Sequence, residues 1–334
     1  MEEVRQRVKF GPQALLLDAA REVEKISVWL REALARELRR RGLVVGLSGG
    51  IDSSVTAALA VRALGRARVF GLLMPERHSD TSTLVLSRQV AEQLGIERVE
   101  QDITGILEAV GFYDRYDAAV RQVIPEYGKD WQSKIVAADS TGRAGFNFFS
   151  IVALSPSGDT RRERLPLKAY LEIVAATNFK QRTRKMLEYY HADRLNYAVA
   201  GTPNRLEYDQ GFFVKNGDGA ADLKPIAHLY KTQVYQIAEY LGVPEAIRQR
   251  PPTTDTYSLA QGQDEFYFSL PYSLMDLCVY GKNQGVEASA VAAACGLTAD
   301  QLRHVWADID TKRSTTRYLQ LPSLLVEAVS EIHS

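Results

Sequence analysis

The chain has 334 residues with 41 Lys+Arg against 41 Asp+Glu, so its formal charge is zero, which argues against a large nucleic-acid footprint. Two cysteines, Cys278 and Cys295, form no C-x-x-C pair, and a reduced, cytoplasmic chain is the simplest account. No apolar stretch is long enough to span a bilayer, Met1–Arg5 lacks a signal-peptide pattern, and the length suits one large α/β domain or two smaller ones.

Apolar residues recur at helical steps over 12–40: Leu15, Leu16, Ala19, Val23, Ile26, Leu30 and Leu34. The run Leu43–Leu47 reads as a strand, Ser48–Gly50 as a tight turn, and 52–64 as a helix. Arg68–Met74, closed by Pro75, reads as a second strand. A helix over 81–94 capped by Gly95 follows, then a third strand, Ile96–Asp102. This β-α-β-α-β alternation predicts a doubly wound parallel sheet with helices on both faces. Ligands bind such sheets beyond the carboxyl ends of the strands, where the glycine turn lies.

Residues 113–176 are less regular and read as a β-rich insertion. Leu165, Leu167, Ala169, Leu171 and Ile173 alternate with Pro166, Lys168, Tyr170 and Glu172, which predicts a half-buried strand. Phe146–Leu154 is its expected partner, joined through the turn Ser155–Asp159. A helix from Asn178 to His191, a late strand Asn196–Gly201 and a helix from Tyr230 to Leu241 come next. Helical patterns fill most of the rest, including a C-terminal part at about 271–334, and no internal repeat is present. The whole chain, 1–334, is expected to form a single domain carrying the insertion.

Ser48-Gly49-Gly50-Ile51-Asp52-Ser53-Ser54 is the most informative stretch. A strand, a glycine turn and a helix N-terminus aim several backbone N–H groups at one spot, which suits a phosphate. The serines add hydroxyl donors, and Asp52 adds a carboxylate for a hard cation escorting phosphates. The spacing is not the G-x-x-x-x-G-K-[ST] of the Walker loop. A second strand-end loop, Gly201–Glu207, supplies Thr202 and Glu207; with Asp52, Glu207 could hold Mg²⁺ against the phosphates of ATP. Gly211–Ile226 is dense in glycine and charge and reads as a loop. Lys231 sits at the start of a helix, where a cation opposes the dipole and a phosphate would compensate for it. His78, His191, His228, His304 and His333 show no metal-ligand spacing.

The seven-residue turn resembles the pyrophosphate loop of N-type ATP pyrophosphatases. Taken with Gly201-Thr202-Pro203-Asn204-Arg205-Leu206-Glu207, Lys215–Asp222, Leu229–Val234 and Pro251–Asp255 in this order, the chain resembles the ammonia-dependent NAD synthetases. That resemblance implies an adenine nucleotide alpha hydrolase-like, Rossmann-like fold. It also implies amidation of deamido-NAD: the nicotinate carboxylate attacks the α-phosphate of ATP, pyrophosphate leaves, and ammonia displaces AMP from the acyl-adenylate. By position, it implies that Gly46, Ser48, Gly49, Gly50, Asp52, Ser53, Thr202, Lys231 and Thr253 contact ATP, with Asp52 and Lys231 catalytic and Asp52 and Glu207 binding Mg²⁺. Arg184, Lys215, Asp222 and Lys312 would face the dinucleotide. Asn178, Arg182 and Arg184 match an N-x-x-x-R-x-R pattern; the two arginines, two residues apart, do not share a helical face.

Three departures concern the acceptor half. Thr311-Lys312-Arg313 stands where many members have His-Lys-Arg, Thr177 stands where they have glutamate, and the 113–176 insertion is longer than they need. The insertion either reshapes the acceptor pocket or serves as an interface or surface decoration. Two other readings remain: an amide synthase of the same mechanism acting on a different carboxylate, and a nucleotide-binding protein without catalysis. No glutaminase-sized segment precedes the glycine turn, so free ammonia or a separate glutaminase is the expected nitrogen source. A homodimer is expected by resemblance.

Overall fold

The computed structural model describes residues 10–137, 149–251, 256–259, 267–268, 270–329 and 331. The N-terminal helical pattern is divided. A 3₁₀ turn, Pro12–Leu15, precedes α1 (Ala19–Glu32), which the Asp18 carboxylate caps by accepting the Arg21 N–H; its end widens into a π-helical stretch, Ala33–Leu38. Then come β1 (Leu43–Gly46), α2 (Ile51–Leu64), β2 (Val69–Leu73), α3 (Thr81–Leu94), β3 (Glu97–Glu100), α4 (Thr104–Ala109) and α5 (Phe112–Arg121). The insertion contributes β4 (Gln132–Ala137), β5 (Phe149–Leu154) and β6 (Thr160–Arg164). The chain continues through α6 (Leu167–Leu195), β7 (Ala198–Ala200), α7 (Arg205–Gln210), α8 (Lys231–Tyr240) and α9 (Glu245–Arg248). It ends in α10 (Tyr272–Asn283), α11 (Ala288–Cys295) and α12 (Ala299–Gln320).

The central sheet is parallel throughout, in the order β3-β2-β1-β7. The chain starts at β1, winds outward to β3, and returns to the other side of β1 as β7. The winding direction therefore reverses between β1 and β7, which opens a crevice at their carboxyl ends. Leu43 and Val45 pack with α1, α2 and α8, whereas Val44, Phe70 and Val199 face Ala192 of α6. Burial on both faces explains why β1 and β2 read as unbroken apolar runs. Leu43, Phe70 and Leu72, each 1% exposed or less, contribute roughly 1.5–3 kcal/mol apiece by leaving water.

The expected strand over Leu165–Ile173 is not formed: from Leu167 on, these residues are the first turns of α6, a helix of 29 residues. Ala169, Ile173, Ala176, Thr177 and Lys180 are buried at helical spacing, while Leu167 and Leu171 are 73% and 53% exposed. The apparent two-residue alternation mixed buried and solvent-facing leucines. Phe149–Leu154 is a strand, but its partners are β4 and β6, both antiparallel. The Ser155–Asp159 turn does join a hairpin: Ser155 N–H donates to the Asp159 carbonyl at 2.9 Å, and Gly158 takes a φ of +90°. Ile135, Ile151 and Ala153 of this small sheet pack with Tyr116 of α5 and with Ala169 and Ile173 of α6. Among the described residues, no helix is long and apolar enough to cross a membrane.

Candidate active site

The crevice between β1 and β7 is a cleft of about 430 Å³. From its β1 side, Ser48 N–H donates to Ser53 Oγ at 3.2 Å, and the Ser48 and Ser53 hydroxyls lie 3.1 Å apart. Ser53 and Ser54 hydroxyls donate to the Gly50 carbonyl at 3.1 and 2.7 Å, which tightens the turn. Gly49 has a φ of +67°, and a Cβ there would meet the Thr83 carbonyl at 2.5 Å, so the turn requires glycine. No side chain caps α2, which leaves first-turn N–H groups directed at the cleft.

From the β7 side, Asn204 initiates α7, and its Oδ1 accepts the Leu206 and Glu207 N–H groups at 3.0 and 3.3 Å. Its own N–H donates to Glu207 Oε2 at 3.1 Å, which completes a capping box. Its Nδ2 donates to Asp52 Oδ1 at 3.2 Å. One fully buried asparagine thus ties Asp52 of α2 to Glu207 of α7 across the crevice. The Lys231 ammonium, 1% exposed, pairs with the other Asp52 oxygen. Burial would lower the Lys231 pKa, but Asp52 and Glu207 together hold it above the ordinary lysine value. Burial, and next the Asp52 charge, push Glu207 up to about 8. Two carboxylates thus converge on one buried lysine, and burial beside Asp52 disfavours the charged form of Glu207.

Gly46, Ser48, Gly49, Gly50, Asp52, Ser53, Thr202, Glu207, Lys231 and Arg184 all line this cleft, as do Asn178 and Thr177. Thr253 lies outside the described residues. Arg184 reaches back to the Met74 carbonyl, 3.4 Å from its Nε; Arg182, on another face of α6, donates to the Lys215 carbonyl at 3.3 Å. Lys215, Asp222 and Lys312 are not among the lining residues. Lys215 Nζ donates to the carbonyls of Tyr318 and Leu321 at 2.8 and 3.3 Å, closing the end of α12. Asp222 accepts the Val199 N–H at 2.7 Å and the Tyr189 hydroxyl at 3.2 Å. Lys312 pairs with Asp308 at 2.6 Å.

Two buried ion pairs in the cleft wall were not anticipated. Lys180 Nζ lies 2.7 Å from Glu76 Oε1, and Lys185 Nζ lies 2.6 Å from Glu188 Oε2. Glu188 leans on β1 so closely that a Cβ at Gly46 would meet its Oε1 at 2.7 Å. In sequence, Lys185 and Glu188 resemble an ordinary solvated i,i+3 pair; only the seat of α6 on the sheet buries them. Among the described residues, no group of three or more His, Cys, Asp or Glu side chains could hold a metal ion. Any cation here would rest on two carboxylates and on its ligand.

A family model described as NAD synthase matches residues 22–126 and 153–315. The chain belongs to this family. The unmatched stretch between the two segments contains β4 of the insertion. An NH(3)-dependent NAD(+) synthetase of Rhizobium meliloti is 59% identical over 326 residues, covering 98% of this chain and 97% of that protein. The enzyme of the same name from Thermotoga maritima is 38% identical over 254 residues, covering 76% of this chain and 84% of that protein. Among solved structures, an NMN synthetase from Francisella tularensis superposes with a TM-score of 0.64 at 22% identity, covering 93% of this chain and 99% of that one. An NH3-dependent NAD synthetase from Campylobacter jejuni gives 0.57 at 21%, covering 92% and 100%. At these identities the two structures speak for the α/β fold alone.

Proposed function

We infer that this protein is an ammonia-dependent NAD synthetase, a carbon–nitrogen ligase. It amidates deamido-NAD to NAD through an acyl-adenylate and releases AMP and pyrophosphate from ATP. Family membership and near full-length likeness to enzymes of that name support this reading. The observation that carries it at the site is the meeting of Asp52 and Glu207 in one cleft, with Lys231 between them and the uncapped start of α2 beside them.

A carboxylate is a poor acylating agent, and adenylation gives it a leaving group. The protein must align the carboxylate with phosphorus and offset charge as pyrophosphate departs. In this reading the α2 N–H groups, with the Ser48 and Ser53 hydroxyls, hold the phosphates, and Lys231 offsets the departing charge. Thr202 and Thr253 belong to the ATP side. Arg184 faces the acceptor, and Lys215, Asp222 and Lys312 shape its pocket through the loop and α12 that they anchor.

The all-oxygen donor set and the raised pKa of Glu207 fit a hard divalent cation, so Asp52 and Glu207 would hold Mg²⁺. When bound, Mg²⁺ would neutralise charge on the phosphate oxygens. No protein nucleophile is required. The two free thiols, Cys278 and Cys295, support a cytoplasmic setting. We also read the active form as a homodimer.

The test supplies purified protein with ATP, Mg²⁺, ammonium and deamido-NAD. NAD and pyrophosphate should form in equal amounts, and glutamine in place of ammonium should give none. Pyrophosphate release only with a different carboxylate would overturn the acceptor assignment.

A further inference from the structure

We propose that Asp276, on α10 in the C-terminal helical part, is a positioning residue that sets the place of Lys231 in the cleft. The proposal rests on the ligase reading above, in which Lys231 meets the phosphates.

The first turn of a helix leaves backbone N–H groups without partners and carries the positive end of its dipole. Lys231 is the first residue of α8 and adds a further positive charge there. A Ser, Thr, Asp or Asn just before it would be the usual remedy, but that position holds Tyr230, whose own N–H donates to Gln233 Oε1 at 3.0 Å. The cap comes from elsewhere in the chain. Asp276 Oδ1 accepts the Lys231 N–H at 3.3 Å, and Asp276 Oδ2 accepts the Thr232 N–H at 2.7 Å. Its carboxylate is fully buried.

Two oxygens on two consecutive N–H groups fix the orientation of the helix start, not merely its distance. The Lys231 backbone is thereby pinned from α10, and its buried side chain extends from that fixed point to Asp52. Asp52 is in turn held by Asn204, and Asn204 by Glu207. A continuous line of polar contacts therefore joins α10 to both carboxylates of the cleft, although Asp276 is not among the lining residues. Burial pushes the Asp276 carboxyl up to about 6, despite its two N–H donors. A desolvated carboxylate is costly, and it is placed where an orphaned helix start and a buried lysine converge.

The experiment is a double-mutant cycle between Asp276→Ala and Lys231→Ala, read by single-turnover pyrophosphate release and steady-state NAD formation. Asp276→Ala alone should lower kcat by about 10–100-fold while changing the KM for deamido-NAD little, because a displaced lysine costs mainly in the transition state. Asp276→Asn, which keeps one acceptor oxygen, should recover part of the loss. In the Lys231→Ala background, Asp276→Ala should cost no more than about twofold further, since coupled sites do not add.

Full multiplicative loss in the double variant would overturn the proposal, as would wild-type kcat in Asp276→Ala. If Asp276→Ala fails to melt cooperatively, the same cycle is read with Asp276→Asn, and wild-type kcat there would be equally fatal. Acylation of Lys231 by an N-hydroxysuccinimide ester, followed by mass spectrometry, gives a readout independent of turnover. Relative to the other lysines, Lys231 should label faster in Asp276→Ala than in wild type. Unchanged labelling would sink the positioning role, whereas wild-type protein that makes no NAD would sink only the ligase reading.

Discussion

Asp52 serves three partners with two oxygens: the Lys231 ammonium, the Asn204 amide and, in the proposed reaction, Mg²⁺. Its charge matters more than its shape. Asp52→Asn keeps a hydrogen-bond acceptor for Asn204 but removes the counter-charge of a buried lysine and one of two carboxylates for the cation. Pyrophosphate release should fall on the order of 10²–10³-fold, the scale set by removing one aligned electrostatic contact. The fold should persist, because Glu207 still faces Lys231. A fully active Asp52→Asn would remove Asp52 from the mechanism. Asp52, Glu207 and Lys231 were legible in the sequence because each lies in a compact local motif next to a strand end. The bridging role of Asn204 was not, because it depends on how α7 starts relative to α2, a distance no local pattern encodes.

At the level of elements, α6 is where the sequence misled. Its first turns expose Leu167 and Leu171 on one face and bury Ala169 and Ile173 on another, and with Leu165 just before the helix these five apolar residues spaced by two passed for a strand. Length decides the matter: a 29-residue helix, roughly 43 Å long, spans both the insertion and the central sheet. The same helix hides its charges. Lys180 and Glu76 have side chains 2% and 0% exposed, and no charge count distinguishes such a pair from a surface one.

The Tyr113 hydroxyl and the His78 N–H also donate to Glu76, at 3.0 and 3.1 Å, and Lys180 donates to the Thr256 carbonyl at 3.1 Å. The pair thus fastens the loop after β2 to α5, α6 and the segment after residue 255. Removing one partner leaves a buried charge uncompensated. Lys180→Met should therefore destabilise by about 3–5 kcal/mol in denaturant melts, and adding Glu76→Gln should restore much of that. A Lys180→Met protein as stable as wild type would mean that the pair is solvated.

For the whole molecule, the side of the cleft proposed to take ATP rests on neighbours in a sheet, and βαβ order made that half readable in advance. The proposed acceptor side draws on α6, the 211–224 loop and α12, which meet only through long-range packing. Lys215 donates to the carbonyls at the end of α12, and Lys312, on α12, pairs with Asp308 and donates to the carbonyl of the cleft-lining Tyr267; neither lysine is itself among the lining residues. The same helix also bears on quaternary structure. Leu167, Leu171, Met186 and Tyr190 are 73%, 53%, 56% and 61% exposed, and at 3.6 residues per turn they fall within an arc of roughly 140° on α6. Val174 and Asn178, between them along the helix, line the cleft. A second copy of the chain seated on that arc would cover the leucines and lie against the acceptor side. Light scattering should therefore report a dimer. Leu167→Asp with Leu171→Asp should shift it to monomer and raise the KM for deamido-NAD well above any change for ATP, because the ATP side is built from one chain's β1, β7 and α2. A wild-type monomer at micromolar concentration, or equal KM effects on both substrates, would separate the apolar arc from the active site.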